Sequence, residues 1–193
     1  MNDLTLAALL RRLAIVEGPL PDTPQGRLAA EFFAGNWESA QTLLAAAPRL
    51  RVTPHSAAYR TFDFEFALPF KRQPRPGDPV TLEPGPIHGT IVYRHDPFTL
   101  DTLQPAVCVL VDSALGMLHP NVSRAYGAVC LGRLPDGPIA LDALVEHLHS
   151  VLSYANVSTE DPADPAAAAW FLAEPDPRAG LPPVRPLWGR GAA

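Results

Sequence analysis

Thr61-Phe62-Asp63-Phe64-Glu65-Phe66-Ala67-Leu68 alternates bulky apolar residues with polar or small ones at a period of two. Successive strand residues point to opposite faces, so Phe62, Phe64, Phe66 and Leu68 are expected on a buried face, with Asp63 and Glu65 facing water. Downstream, the Pro-rich charged stretch 71–78 reads as a turn, followed by a short strand over 80–82. After Pro84-Gly85-Pro86, residues 88–93 read as a further strand of an antiparallel meander. Residues 105–112 contain Ala106-Val107-Cys108-Val109-Leu110-Val111, the most apolar strand, which is expected at the centre of the sheet.

Helices flank this block. Leu6, Leu9, Leu10 and Leu13 recur at helical spacing and predict a helix over 4–16, stopped by Gly18-Pro19-Leu20-Pro21. Thr23-Pro24 reads as a cap followed by proline in the first turn of a helix carrying Leu28, Phe32 and Phe33 towards Gly35. Asn36 is expected to cap a third, short helix over 37–46. Beyond the strands, 118–134 has no clean period and reads as an ordered, irregular segment, the kind of region that carries chemistry. Leu141, Leu144, Val145, Leu148, Val151 and Leu152 then mark the clearest amphipathic helix. A last helix is expected over 164–172 with Trp170 and Phe171 as anchors, and after Glu174 a loosely held Pro-, Gly- and Arg-rich tail. Helices, a meander, an irregular segment and two helices make an α+β chain rather than a parallel doubly wound one. The expected division is a helical extension over 1–50, a core over 51–174 and a tail over 175–193.

Composition narrows the function classes. A chain of 193 residues suits one domain with embellishments. Its net charge of -5, with no basic block interleaved with aromatics, speaks against a nucleic-acid partner. No run approaches the ~20 apolar residues needed to span a bilayer. The first residues also lack the pattern of a secretory signal, so a cytoplasmic location with no membrane partner is expected. In that reducing setting Cys108 and Cys130 are expected as free thiols. Lys71 is the only lysine against fourteen arginines, a bias that a GC-rich genome produces. It also leaves the chain few primary amines of its own. His147 and His149 lie two apart on a helix and point to different sides, so no chelating pair and no metal is expected. No phosphate-binding glycine loop is present, and no cofactor is expected.

The irregular segment reads His119-Pro120-Asn121-Val122-Ser123-Arg124-Ala125-Tyr126-Gly127-Ala128-Val129-Cys130-Leu131. It resembles the active-site stretch of ubiquitin-conjugating enzymes, in which His-Pro-Asn is followed by Gly, one or two residues, and Cys-Leu. The order of a leading helix, a meander ending before His-Pro-Asn and a long helix after the cysteine is similar as well. Asn156 and Asp161-Pro162 resemble the loop that ends beside the cysteine in that family. The resemblance spans about 61–171 and implies a UBC-like fold of a divergent bacterial branch. The chain departs from the pattern in four places: one extra residue between Asn121 and Cys130, a Trp-Pro pair reduced to Pro138, a looser stretch from Asp96-Pro97-Phe98 to Pro105 in place of a compact Tyr-Pro and Pro-Pro cluster, and added helices between Pro24 and Ala46.

The resemblance implies a thioester carrier. A solvent-reachable cysteine such as Cys130 can ionise and form a thioester that amines attack. Asn121 would donate a hydrogen bond to the tetrahedral oxyanion. Asp161, placed by the matching, would orient the incoming lysine and assist its deprotonation. His119 is expected to brace the loop through the backbone rather than titrate. The residues also allow blander roles: Cys130 as a small core residue, Asn121 as a turn former, and Asp161 as a helix cap beside Glu160 and Asp164. Cys108, mid-strand between Val107 and Val109, reads as core, and Tyr154 as packing.

The implied partners are a ubiquitin-like protein, an activating enzyme that loads the cysteine, and a target lysine. Arg11 and Arg12, on the first predicted helix, would face the activating enzyme. A role in defence against phage follows by family association only. Two rival readings are a non-catalytic UBC-like binding module, which would characteristically lack the cysteine, and a cysteine hydrolase. The hydrolase reading is weakened because Leu131-Gly132-Arg133-Leu134-Pro135 does not readily open a helix after Cys130.

Overall fold

The computed structural model describes residues 20–94, 107–132, 134 and 138–187. The predicted helix over 4–16 lies outside them. The chain is α+β: three α-helices, a four-stranded antiparallel sheet and a separate two-stranded hairpin among the described residues.

Helix α1 spans Pro24–Ala45 without interruption. Thr23 caps it as expected, its hydroxyl accepting from the Gly26 amide at 3.0 Å, with Pro24 in the first turn. The break expected at Gly35-Asn36 does not occur. Gly35 is helical and exposed, and the helix continues because Phe33 and Ala40, on either side, are both buried in the core. Asn36 caps a different helix. Its Oδ1 accepts from the Leu141 amide at 2.6 Å, at the start of helix α2, Leu141–Leu152. Ala140, at the α2 N-cap, has no side chain for that task.

Strands β1 (Leu50–Pro54), β2 (Thr61–Phe66), β5 (Ile87–Tyr93) and β6 (Val107–Val111) form the main sheet in that order, every pair antiparallel. Strands β3 (Phe70–Arg72) and β4 (Thr81–Glu83) make the hairpin inserted between β2 and β5. The alternation read from 61–68 holds through β2, with Phe62, Phe64 and Phe66 buried and Asp63 exposed. β1 has no counterpart among the expected strands, because Leu50 to Pro54 combines two polar residues with a proline. β6 is the last strand of the sheet, and β2 and β5 occupy the centre. Its apolar character has a separate cause. Val107, Val109 and Val111 face the core, while Leu110 on the other face is also buried, with Ala128 bridged beside it.

Gly89 of β5 pairs with Phe64 on one side and Val111 on the other. A Cβ there would collide with the Phe64 ring and the Leu110 carbonyl oxygen, so only glycine lets the phenyl ring cross the strand. Helices α1 and α2 cover the inner face and share one core with it: Ala29, Phe33 and Ala40 from α1, and Leu141, Leu144, Val145, Leu148 and Leu152 from α2. Helix α3, Pro165–Ala173, is capped by Asp164, whose Oδ1 accepts from the amides of Ala166 and Ala167. It is seated through buried Ala167 and Ala168, while Trp170 and Phe171, the expected anchors, are only half-buried. The segment after α3 stays against the body: Lys71 Nζ donates to the Ala179 carbonyl at 2.6 Å, and Leu181 and Leu187 pack on the core.

Candidate functional site

The segment that follows β6 owes its order to backbone pairing. Leu118 donates to the Lys71 carbonyl at 2.8 Å, tying the approach to His119 onto β3. From Asn121 the chain forms a tight hairpin. The Cys130 amide donates to the Asn121 carbonyl at 2.7 Å, Val122 bridges Val129, and Gly127, at φ 71°, makes the turn. The return arm lies along β6, with Val129 donating to Val109 at 2.9 Å and Val111 to Gly127 at 2.8 Å. Cys130 therefore ends an arm hydrogen-bonded to the sheet on one side and to Asn121 on the other. It is half-buried.

His119 is fully buried. Its Nε2 lies 2.8 Å from the Val151 carbonyl at the end of α2, and its Nδ1 accepts from the Asn121 amide at 3.0 Å. These partners require the neutral ring with the proton on Nε2. Burial pushes the imidazole pKa down to about 4, against which the Val151 hydrogen bond works. His119 is thus a neutral brace between α2 and the site.

Both ends of the Asn121 amide are engaged. Nδ2 donates to the Cys130 carbonyl at 2.9 Å, and Oδ1 accepts from the Ser158 amide at 2.9 Å. The residue is 3 % exposed. One side chain therefore joins the cysteine arm to the loop after α2, and one Nδ2 proton is left over for a third partner.

That loop is fixed at two points beside the His119–Asn121 turn: Ser158 through Asn121, and Asp164, whose amide donates to the Pro120 carbonyl at 3.1 Å. Asp161 lies between the anchors, exposed and without a hydrogen bond or ion pair among the described residues. Asn156 is exposed as well. The helix-capping role allowed for Asp161 belongs to Asp164. Asp164 Oδ2 also meets Arg124 Nε at 3.0 Å, with the two side chains 6 % and 21 % exposed. The Arg124 guanidinium reaches on to Gln73 Oε1 at 3.3 Å, so the hairpin turn, the α3 N-terminus and the segment after β3 meet in one polar cluster.

Tyr154 does more than pack. Its hydroxyl donates to the Leu118 carbonyl at 2.7 Å and accepts from the Lys71 amide at 3.2 Å, and its ring centroid is 4.3 Å from that of His119. These contacts hold a non-glycine residue at φ 60°. Its position just past the α2 stripe was the only signal in the sequence. His147 Nε2 lies 2.7 Å from the Leu131 carbonyl, bracing the residue after the cysteine. His149 turns the other way, against Phe66. Cys108 is half-buried rather than part of the core, since it lies on the sheet face opposite Val107 and Val109. Burial pushes its thiol pKa up, which disfavours the reactive thiolate.

No protein-family model matches this chain, and no curated protein matches it significantly. No group of three or more His, Cys, Asp or Glu among the described residues could hold a metal ion. No helix of the described residues is long and apolar enough to cross a membrane.

Proposed function

We propose that this chain is a ubiquitin-conjugating-type carrier of UBC-like fold. It takes the C-terminus of a ubiquitin-like protein onto Cys130 as a thioester and passes it to an amine of a target. The observation that carries the reading is the double hold of Asn121 on the Cys130 backbone and on Ser158. It presents a half-buried thiol at the meeting of two loops on a rigid sheet edge. The antiparallel order β1-β2-β5-β6, with α2 after the cysteine, supports it further.

In the loading step the Cys130 thiolate attacks the thioester carbonyl on an activating enzyme and that enzyme's thiolate leaves. In the transfer step a neutral amine attacks, the carbonyl carbon–sulfur bond breaks and Cys130 departs as thiolate. The free Nδ2 proton of Asn121 is the donor proposed for the oxyanion. The exposed Asp161 carboxylate is the group proposed to receive the amine's proton, while His119 positions the loop as a neutral ring. A cysteine hydrolase is disfavoured because His119 and His147 both bond to backbone carbonyls, and no imidazole is hydrogen-bonded to the Cys130 thiol among the described residues.

The test is a non-reducing gel of the protein with its activating enzyme, its ubiquitin-like protein and ATP. A thiol-sensitive adduct that Cys130→Ala loses, and that Cys130→Ser converts to a thiol-resistant ester, is expected. No adduct in the presence of a demonstrably charged activating enzyme overturns the reading and favours a binding module. If self-modification occurs, peptide mapping should find it at Lys71 or the N-terminal amine.

A further inference from the structure

A cavity of about 460 Å³ lies on the body of the protein beneath the segment 182–187, lined on one side by Ala47, Arg49, Leu68, His149 and Ser153. This volume falls in the range of small-molecule sites, roughly 300–1,000 Å³. The charge of its lining is one-sided. Arg49 and Arg185 stand in the wall together with His149, and no carboxylate lines it, on a chain whose net charge is -5. His149 is 8 % exposed, and its ring has no hydrogen-bond partner among the described residues; its ring contact is with Phe66. Its ring nitrogens are not sealed from solvent, so an acceptor entering the cavity would take the place of water at one of them. Apart from Ser153, the remaining wall, Ala47, Leu68, Val184 and Leu187 with the prolines, is apolar.

We propose that this cavity binds a small carboxylate with an apolar body, its head between Arg49, Arg185 and His149 and its chain against Leu68 and Leu187. Arginine pairs with carboxylate through two parallel hydrogen bonds, which a neutral head cannot reproduce. The C-terminal segment supplies Arg185 and Leu187, so the ligand fastens that segment to the body. The site is independent of the Cys130 chemistry.

The test uses the full-length chain labelled with ¹⁵N and three probes: octanoate, the neutral octanol, and inorganic phosphate as a bare anion. Octanoate should shift the amide resonances of Arg49, His149, Ser153 and Val184 in a saturable manner, with Kd of about 1 mM or below. Octanol and phosphate should each bind at least about tenfold more weakly, the loss expected for a missing charge-assisted hydrogen bond or a missing apolar body. Arg49→Gln with Arg185→Gln, both at exposed residues, should weaken octanoate about tenfold or more and leave octanol unchanged. Cys130→Ala should bind octanoate as the parent does. Failure of octanoate to saturate, equal affinity for octanol or phosphate, or indifference to the arginine substitutions overturns the site.

Discussion

His119 shows how a single side chain ties stability to pH. Its folded pKa of about 4 lies below the ordinary 6.5, so between those values the unfolded chain binds a proton that the folded protein refuses. The stabilisation is complete above about pH 6.5 and is lost as the pH falls towards 4. Urea titrations of the parent and of His119→Gln across that window should differ in slope by about one proton, the variant being flatter. His149, whose pKa burial also lowers, contributes in the same direction in both proteins. Parallel slopes would remove the buried neutral ring from the account. Asn121→Ala severs the link between the Cys130 carbonyl and the Ser158 amide. Under the proposed function it should still accept the thioester but discharge it to free lysine about 10²-fold more slowly in single-turnover assays. An unchanged discharge rate would leave Asn121 a purely structural residue.

Among the elements, α1 and α2 are joined by a side chain that neither helix's own periodicity reveals. Asn36 sits mid-helix in α1 and satisfies the first amide of α2, 105 positions later in the chain. Asn36→Ala should cost about 1 kcal/mol in chemical denaturation, the usual price of a lost N-cap. Next to it, Gly35→Ala should stabilise by about 0.5–1 kcal/mol, since its backbone is helical and nothing lies within 4 Å of the added methyl. A loss of stability there would contradict the continuous helix. The Gly35→Ala result distinguishes an unbroken α1 from the pair of short helices that the Gly35-Asn36 sequence suggests.

For the molecule as a whole, the Arg124–Asp164 pair couples the cysteine hairpin to helix α3. Asp164→Ala removes an ion pair and a helix cap together and leaves Arg124 largely buried without its carboxylate. A loss of about 3 kcal/mol is expected in equilibrium unfolding, with Asp161→Ala near zero. Much of this architecture was legible beforehand. β2 follows from the period of its phenylalanines, α2 from its leucine stripe, and the α1 start from Thr23-Pro24, because each signal is local and the backbone reads it directly. The His119, Asn121 and Cys130 grouping was also visible, through the resemblance of residues 119–131 to the ubiquitin-conjugating active-site stretch. What the sequence could not convey is which partners distant groups choose. β6 at the end of the sheet, Asn36 capping α2, Asp164 rather than Asp161 at the α3 cap, and Tyr154 holding β3 all depend on contacts between segments tens of residues apart. By itself the sequence determined the α+β class and the candidate nucleophile, since periodicity and thiol chemistry are properties of short stretches. The tertiary structure alone decided which side chains brace Cys130, because a buried polar group takes whichever partner folding brings within hydrogen-bond reach.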